Sequence, residues 1–128
     1  MTAITTPAPI DAIRGYHAHI YYRNEGERAE AAVLRRQLQD RFRLVPGRWR
    51  DQPVGPHPLP MYQMAFEPEV FPEIVPWLML NRRGLTILLH PDTGNDLPDH
   101  AVHPLWLGEK LDLRLDFLKG FGGTPGRA

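Results

Sequence analysis

The chain has 128 residues and zero net charge, which argues against nucleic acid as the main partner because phosphate binding needs a basic surface. It has no cysteine, which excludes disulfides, thiolate metal sites and a cysteine nucleophile. It also has no apolar run long enough to cross a membrane, and residues 1–11 do not have the basic start and apolar core expected of a secretory signal. These features predict a single-domain cytoplasmic protein.

The N-terminal part of the chain begins with a segment rich in threonine, proline and alanine, so residues 1–13 are predicted to be a flexible leader. Aromatic and β-branched residues then predict a strand over residues 16–22. Because side chains alternate along a strand, His17, His19 and Tyr21 are expected to share one face.

The later elements complete an α+β pattern. They are a helix that starts at a cap over 24–27 and runs to about 42, strands at 44–49 and 61–66, a helix at 69–83 and a strand at 85–90. The order βαββαβ predicts a ferredoxin-like sandwich with two helices on one sheet face. An open second face would have to be buried, which predicts a homodimer in which two sheets form an α/β barrel.

The C-terminal part is predicted to add one strand. Residues 111–117 alternate apolar and charged side chains, a period of two that favours this strand at the end of the fold. Residues 119–128 are predicted to be a flexible tail. The folded domain is therefore expected to span residues 14–118.

The histidines are the main candidates for chemistry. His17 and His19 have the H-x-H spacing that projects two ligands from one strand, although a hydrogen-bonded core histidine would fit the same pattern. The strand over 85–90 is expected to break at His90, before a polar loop with further histidines and carboxylates. Strands one and four of a ferredoxin-like sheet are antiparallel neighbours, so His17 would lie beside His90.

Three more side chains could contribute to a site. His57 lies between two prolines and could be a ligand, a proton donor or a turn residue. His100 lies in the polar loop and could reach the site. Tyr21 could orient a substrate or fill a sheet interface.

Several other residues have simpler interpretations. Trp106 is predicted to be a packing anchor more than a platform for substrate, and His103 a solvent-exposed loop residue. Arg48 and Arg50 could bind a substrate carboxylate, but a solvated pair is the better interpretation.

Four short blocks together resemble the DOPA 4,5-dioxygenase family. They are HAHIYY at 17–22, GPHPxxMY at 55–62, LLHPxTG at 88–94 and DHxxxxxWLG at 99–108. The resemblance covers residues 14–118 and implies a dimeric ferredoxin-like fold. It also implies extradiol cleavage of a catechol with O2, such as 4,5-cleavage of DOPA to a seco-DOPA.

The resemblance also places five histidines on the family's histidine positions. The predicted metal ligands are His17, His19 and His90, and the predicted catalytic side chains are His100 as acid–base, His57, which could instead be a ligand, and Tyr21. Asp99 or Glu109 could add a carboxylate. Nitrogen and oxygen ligands without sulfur suit Fe(II), which we expect, and also Zn(II) or Mn(II).

Two other functions fit the same scaffold. One is a non-catalytic dimeric protein that binds a metal or a small ligand, although the presence of all five histidines favours an enzyme. The other is a cofactor-free monooxygenase on a similar dimeric α/β barrel, whose activity would survive a chelator.

Overall fold

The computed structural model of the chain describes residues 6–119. Its strands are β1 (Gly15–Tyr21), β2 (Val45–Pro46), β3 (Met61–Phe66), β4 (Ile87–Asp92) and β5 (Leu105–Leu107). Its helices are α1 (Glu25–Arg41), α2 (Phe71–Asn81), α3 (Asp96–Ala101) and α4 (Asp116–Lys119). Short 3-10 helices cover Ile10–Ala12 and Pro68–Val70.

The strands form one antiparallel sheet in the order β2-β3-β1-β4-β5, with β1 at its centre. The first six main elements follow the predicted order βαββαβ, and the ferredoxin-like fold is confirmed. In the β1–β4 register, His17 lies directly opposite His90, as the topology predicts. The centre of the sheet therefore holds the first histidines of the site.

One face of the sheet packs against α1 and α2. The side chain of Asn24 accepts a hydrogen bond from the backbone N–H of Glu27 (2.9 Å) and so caps the start of α1. This helix buries Ala31, Leu34 and Leu38, whose spacing puts them on one stripe. The core on this face also contains Ala18, Ile20, Tyr22, Tyr62, Met64, Ile74, Leu78, Ile87 and Leu89.

The second face of the sheet was expected to be open. Instead, the chain itself covers it. A second core cluster lies there, made of Tyr21, Met61 and Leu88 packed with Leu59, Trp106, Leu111 and Leu113. The first three are fully buried without a partner chain. The predicted dimer therefore loses the support of an exposed apolar sheet face, because this face is already covered.

The predicted strand over residues 111–117 is wrong. The apolar members of its alternation, Leu111 and Leu113, pack onto the second face of the sheet, and the backbone N–H of Arg114 donates to the carbonyl of Pro56 (2.8 Å). The segment therefore lies across the sheet, and β5 pairs with β4 as the added edge strand.

The polar stretch after His90 is also more regular than expected. Strand β4 continues through Pro91 to Asp92, beyond the point where β5 ends, so this part of β4 has a neighbour on one side only and tolerates a proline. The predicted loop contains α3, in which Pro98 lies in the first turn, where no intrahelical N–H is required. Within residues 6–119, no helix combines the length and apolar character that crossing a membrane would require.

The chain ends are described only in part. Residues 1–5 of the predicted leader and 120–128 of the predicted tail lie outside the described residues. The rest of the leader contains the exposed 3-10 helix at Ile10–Ala12, and Lys119 is the last residue of α4.

Candidate active site and metal centre

Five histidines meet on the second face of the sheet. His17 and His19 extend from β1, His90 from β4 and His100 from α3, while His57 lies in the loop before β3. The ring centroid of His19 lies 4.2 Å from that of His57 and 5.1 Å from that of His90. His17 is half-buried and the other four are buried, so nearly the whole cluster is withdrawn from water.

The cluster contains two groups of nitrogen atoms close enough to hold an ion. One group is His17, His19 and His90, and the other is His19, His57 and His100; within each, the ligand atoms lie within 4.8 Å of one another. The first group coincides with the predicted ligand set. The second joins His19 to the two histidines predicted to act in catalysis. His19 belongs to both groups and is the centre of the cluster.

Backbone carbonyls fix two of the imidazole tautomers. The Nδ1–H of His90 donates to the carbonyl of Pro91 (2.8 Å), and that of His100 donates to the carbonyl of Asp96 (2.7 Å). Since a carbonyl can only accept, each neutral ring carries its lone pair on Nε2. Histidine ligands of metals are commonly oriented by such a bond from their other nitrogen.

The spacing between His19 and His90 fits one metal ion. Their Nε2 atoms are 3.1 Å apart and form a hydrogen bond in the metal-free protein. Two nitrogen ligands at right angles, each about 2.1 Å from a metal, would be about 3.0 Å apart. In addition, the Nδ1 atoms of His17 and His19 are buried without a hydrogen-bond partner among the described residues. The donor set and its geometry are therefore compatible with a bound divalent metal.

The two candidate carboxylates are engaged elsewhere. Asp99 accepts hydrogen bonds from the N–H (2.8 Å) and hydroxyl (2.6 Å) of Thr93. Glu109 pairs with Arg23 at 2.6 Å. Both contacts favour an all-histidine donor set over one completed by either carboxylate.

Burial keeps the imidazoles neutral. It is the main cause that lowers the pKa of His17 and His100, and it lowers the pKa of His19 and His90 well below the ordinary value. The neighbouring imidazoles contribute as well, because two cations so close together would repel each other. Neutral imidazole is the form that binds metals.

These pKa shifts make the metal-free protein sensitive to acid. The unfolded chain protonates these histidines near pH 6.5, whereas the folded protein protonates them only at lower pH. The free energy of unfolding is therefore highest above pH 6.5 and falls as the pH drops below it. We expect the free energy of unfolding to fall between about pH 6.5 and pH 5, by up to about 1.4 kcal/mol per pH unit for each histidine. Urea denaturation with a chelator present measures this slope.

The exposed His103 provides the control for this measurement, because His103→Ala should leave the slope unchanged while His100→Gln should reduce it. A free energy of unfolding that stays constant over this pH range would contradict the account.

Tyr21 and Trp106 extend the cluster beyond the nitrogens that could hold an ion. The hydroxyl of Tyr21 lies 2.7 Å from Nδ1 of His57, and its ring stacks on that of Trp106 with centroids 6.3 Å apart. Trp106 is half-buried, and together with His100 it lines a cavity of about 280 Å³. It therefore anchors packing, as predicted, and also forms part of a cavity wall.

A family model for the Dopa 4,5-dioxygenase family matches residues 16–117. The chain belongs to this family. It is 36% identical over 111 residues to a DOPA 4,5-dioxygenase from Amanita muscaria, a match that covers 80% of this chain and 49% of that protein. It is also 36% identical over 126 residues to an uncharacterized 21.2 kDa protein from Botryotinia fuckeliana, with 87% of this chain and 68% of that one covered.

A solved structure agrees with this family assignment. The crystal structure of a candidate dioxygenase from Nostoc punctiforme has a TM-score of 0.88 and 49% sequence identity, and the match covers 91% of this chain and all of that one. The family and the name of the Amanita relative support an oxygenase that opens an aromatic ring, so this predicted enzyme class is confirmed. The chain spans about half the length of that relative.

Proposed function

We propose that the protein is an extradiol dioxygenase that opens a catechol ring, such as that of DOPA by 4,5-cleavage to a seco-DOPA, with a histidine-bound Fe(II). The buried His19–His90 pair, with its Nε2 atoms 3.1 Å apart, carries this proposal. Catechol and dioxygen together contain every atom of the ring-opened product, so no further reductant is needed. Family membership supports an aromatic substrate and O2.

His17, His19 and His90 would hold the metal, and Zn(II) or Mn(II) could replace iron in purified protein. When bound, Fe(II) acidifies the catechol and makes dioxygen reactive toward it. The burial of His19 and His90 excludes water from the donor atoms, which protects a ferrous site from competing ligands. His17, half-buried, lies on the open side of this group.

His100 would serve as the acid–base group. Its Nδ1–H is held by Asp96, so its Nε2 lone pair is available to accept a proton from a catechol hydroxyl and to return it later. It also lines the cavity, which a substrate can enter. His100 therefore combines access to the substrate with a fixed tautomer.

His57 would be the second group that moves a proton. Burial raises the pKa of Tyr21, so its phenol stays neutral, and its hydroxyl lies 2.7 Å from Nδ1 of His57. In the proposed role the O–H of Tyr21 would donate to this nitrogen. A proton donated to Nδ1 leaves the proton of the neutral imidazole on Nε2. His57 would then act as a hydrogen-bond donor toward the reacting atoms.

Tyr21→Phe tests this part of the proposal. We expect kcat to fall about 10- to 100-fold, because the hydrogen bond that sets the His57 tautomer is lost, while metal content stays the same. Steady-state oxygen uptake and metal analysis measure the two quantities. Unchanged kcat would remove Tyr21 and this tautomer from the mechanism.

We also propose a cytoplasmic homodimer. Exposed Ile10 and partly exposed Leu105 line an apolar cavity of about 390 Å³ beside the edge strand β5, and this supports contact with a second copy. Analytical ultracentrifugation tests the dimer. A single species with the mass of one chain at all concentrations would overturn it.

Oxygen uptake tests the function itself. Protein reconstituted anaerobically with Fe(II) receives L-DOPA or caffeic acid, and oxygen is then admitted. We expect uptake that depends on Fe(II), together with a yellow ring-cleavage product. Tight metal binding without uptake for any of several catechols would favour the non-catalytic binding protein, and uptake that survives a chelator would favour a cofactor-free monooxygenase.

A further inference from the structure

The cavity beside His100 has a mixed lining. Its walls come from the end of α3 and from the segment that crosses the second sheet face, and they include Trp106, Leu111 and Leu113. Lys110 and Asp112 also line it, and both are exposed. The cavity therefore joins an apolar wall, one cation and one anion to a histidine of the buried cluster.

The two charges are available to a ligand. Within residues 6–119, neither Lys110 nor Asp112 forms an ion pair, with each other or with another side chain, although Glu109 beside them pairs with Arg23. A ligand with a single charge would be attracted by one of them and repelled by the other. A ligand with both charges could pair with both.

We propose that this cavity holds the substituent of the aromatic substrate, and that Lys110 and Asp112 select a substituent carrying both a carboxylate and an ammonium group. Lys110 pairs with the carboxylate and Asp112 with the ammonium, while the ring lies along Trp106 toward His100. The inference rests on the proposed function, which supplies the cleavage of the bound catechol ring. It makes Lys110 and Asp112 specificity-determining residues for the substituent of the proposed substrate.

Four catechols allow the contributions of the ligand carboxylate and the ligand ammonium to binding to be measured separately. L-DOPA carries both, 3-(3,4-dihydroxyphenyl)propionate carries the carboxylate, dopamine carries the ammonium and 4-ethylcatechol carries neither. Their affinities are measured by anaerobic calorimetry on Fe(II)-supplied protein, so that binding is read without turnover. We expect L-DOPA to bind about tenfold more tightly than 4-ethylcatechol.

Two variants assign each charge to its residue. Lys110→Met should weaken the binding of L-DOPA and of the propionate about three- to tenfold. Asp112→Asn should weaken the binding of L-DOPA and of dopamine by a similar factor. Matched controls are Lys119→Met and Asp40→Asn, which remove exposed charges outside the cavity lining. The controls should leave all four affinities unchanged.

The outcomes separate this inference from the proposed function. Charge-dependent binding without oxygen uptake would support the role of Lys110 and Asp112 and refute the dioxygenase. Oxygen uptake with equal affinity for the four catechols would do the reverse. The inference would be overturned if no catechol bound, or if both variants lost the same affinity for all four catechols.

Discussion

His19→Ala should abolish metal binding and ring cleavage together. His19 belongs to both groups of nitrogens that could hold an ion, so either ligand set loses a member. We expect metal affinity to fall by at least about 100-fold, since even a residue that only orients a ligand commonly costs 10- to 100-fold. Oxygen uptake should fall to the rate without protein. Anaerobic Fe(II) titration and oxygen uptake measure the two losses.

Loss of the fold is the competing explanation for such a result. The far-UV circular dichroism of the metal-free variant should match that of metal-free wild type, and its thermal unfolding should stay cooperative at a lower temperature, because the loss of a fully buried side chain leaves a cavity. His103→Ala is the matched control, since it removes an exposed histidine from outside the cluster. Full metal content in a folded His19→Ala protein would show that His19 is not a ligand.

His90→Ala and His100→Ala should have different effects, although both rings are buried and held by a backbone carbonyl. We expect His90→Ala to lose metal, because its Nε2 lies 3.1 Å from that of His19. We expect His100→Ala to keep metal and to lose about 100- to 10,000-fold in kcat, as befits an acid–base group.

The comparison of these two variants discriminates between the ligand sets. If His100→Ala loses metal and His90→Ala keeps it, the ion is held by His19, His57 and His100, the second group. The predicted roles of His90 and His100 would then be exchanged. Loss of metal in both variants would mean that the ion contacts both rings.

The histidines of the sheet could be predicted because strands obey simple rules. Alternation along β1 puts His17, His19 and Tyr21 on one face, and the order of the strands puts His17 opposite His90. Both inferences depend on local pattern and topology, and neither requires atomic detail.

The other half of the site depends on contacts far apart in sequence. His57 is placed by its loop packing onto β1, and His100 by a six-residue helix with Pro98 in its first turn, which no periodicity indicates. The tautomers of His90 and His100 depend on single carbonyl oxygens. Such contacts are fixed by packing and cannot be predicted from spacing.

The segment after β5 is where the sequence pattern was misleading. The alternation of leucine and charge over residues 111–117 fits a strand, yet the same pattern suits an extended segment that lies across a sheet with its leucines inward. Its role in covering the second face therefore went unpredicted. So did the placement of Lys110 and Asp112 on the cavity beside His100.

Ring cleavage by the histidine-bound metal is tested most directly by the fate of the oxygen atoms. Fe(II)-reconstituted wild type and His19→Ala are given L-DOPA under isotopically heavy dioxygen, and the products are analysed by mass spectrometry. We predict a ring-opened product from wild type whose new carboxylate contains heavy oxygen, and no such product from the variant. A ring-opened product from wild type without heavy oxygen, or equal amounts of product from both proteins, would contradict the account.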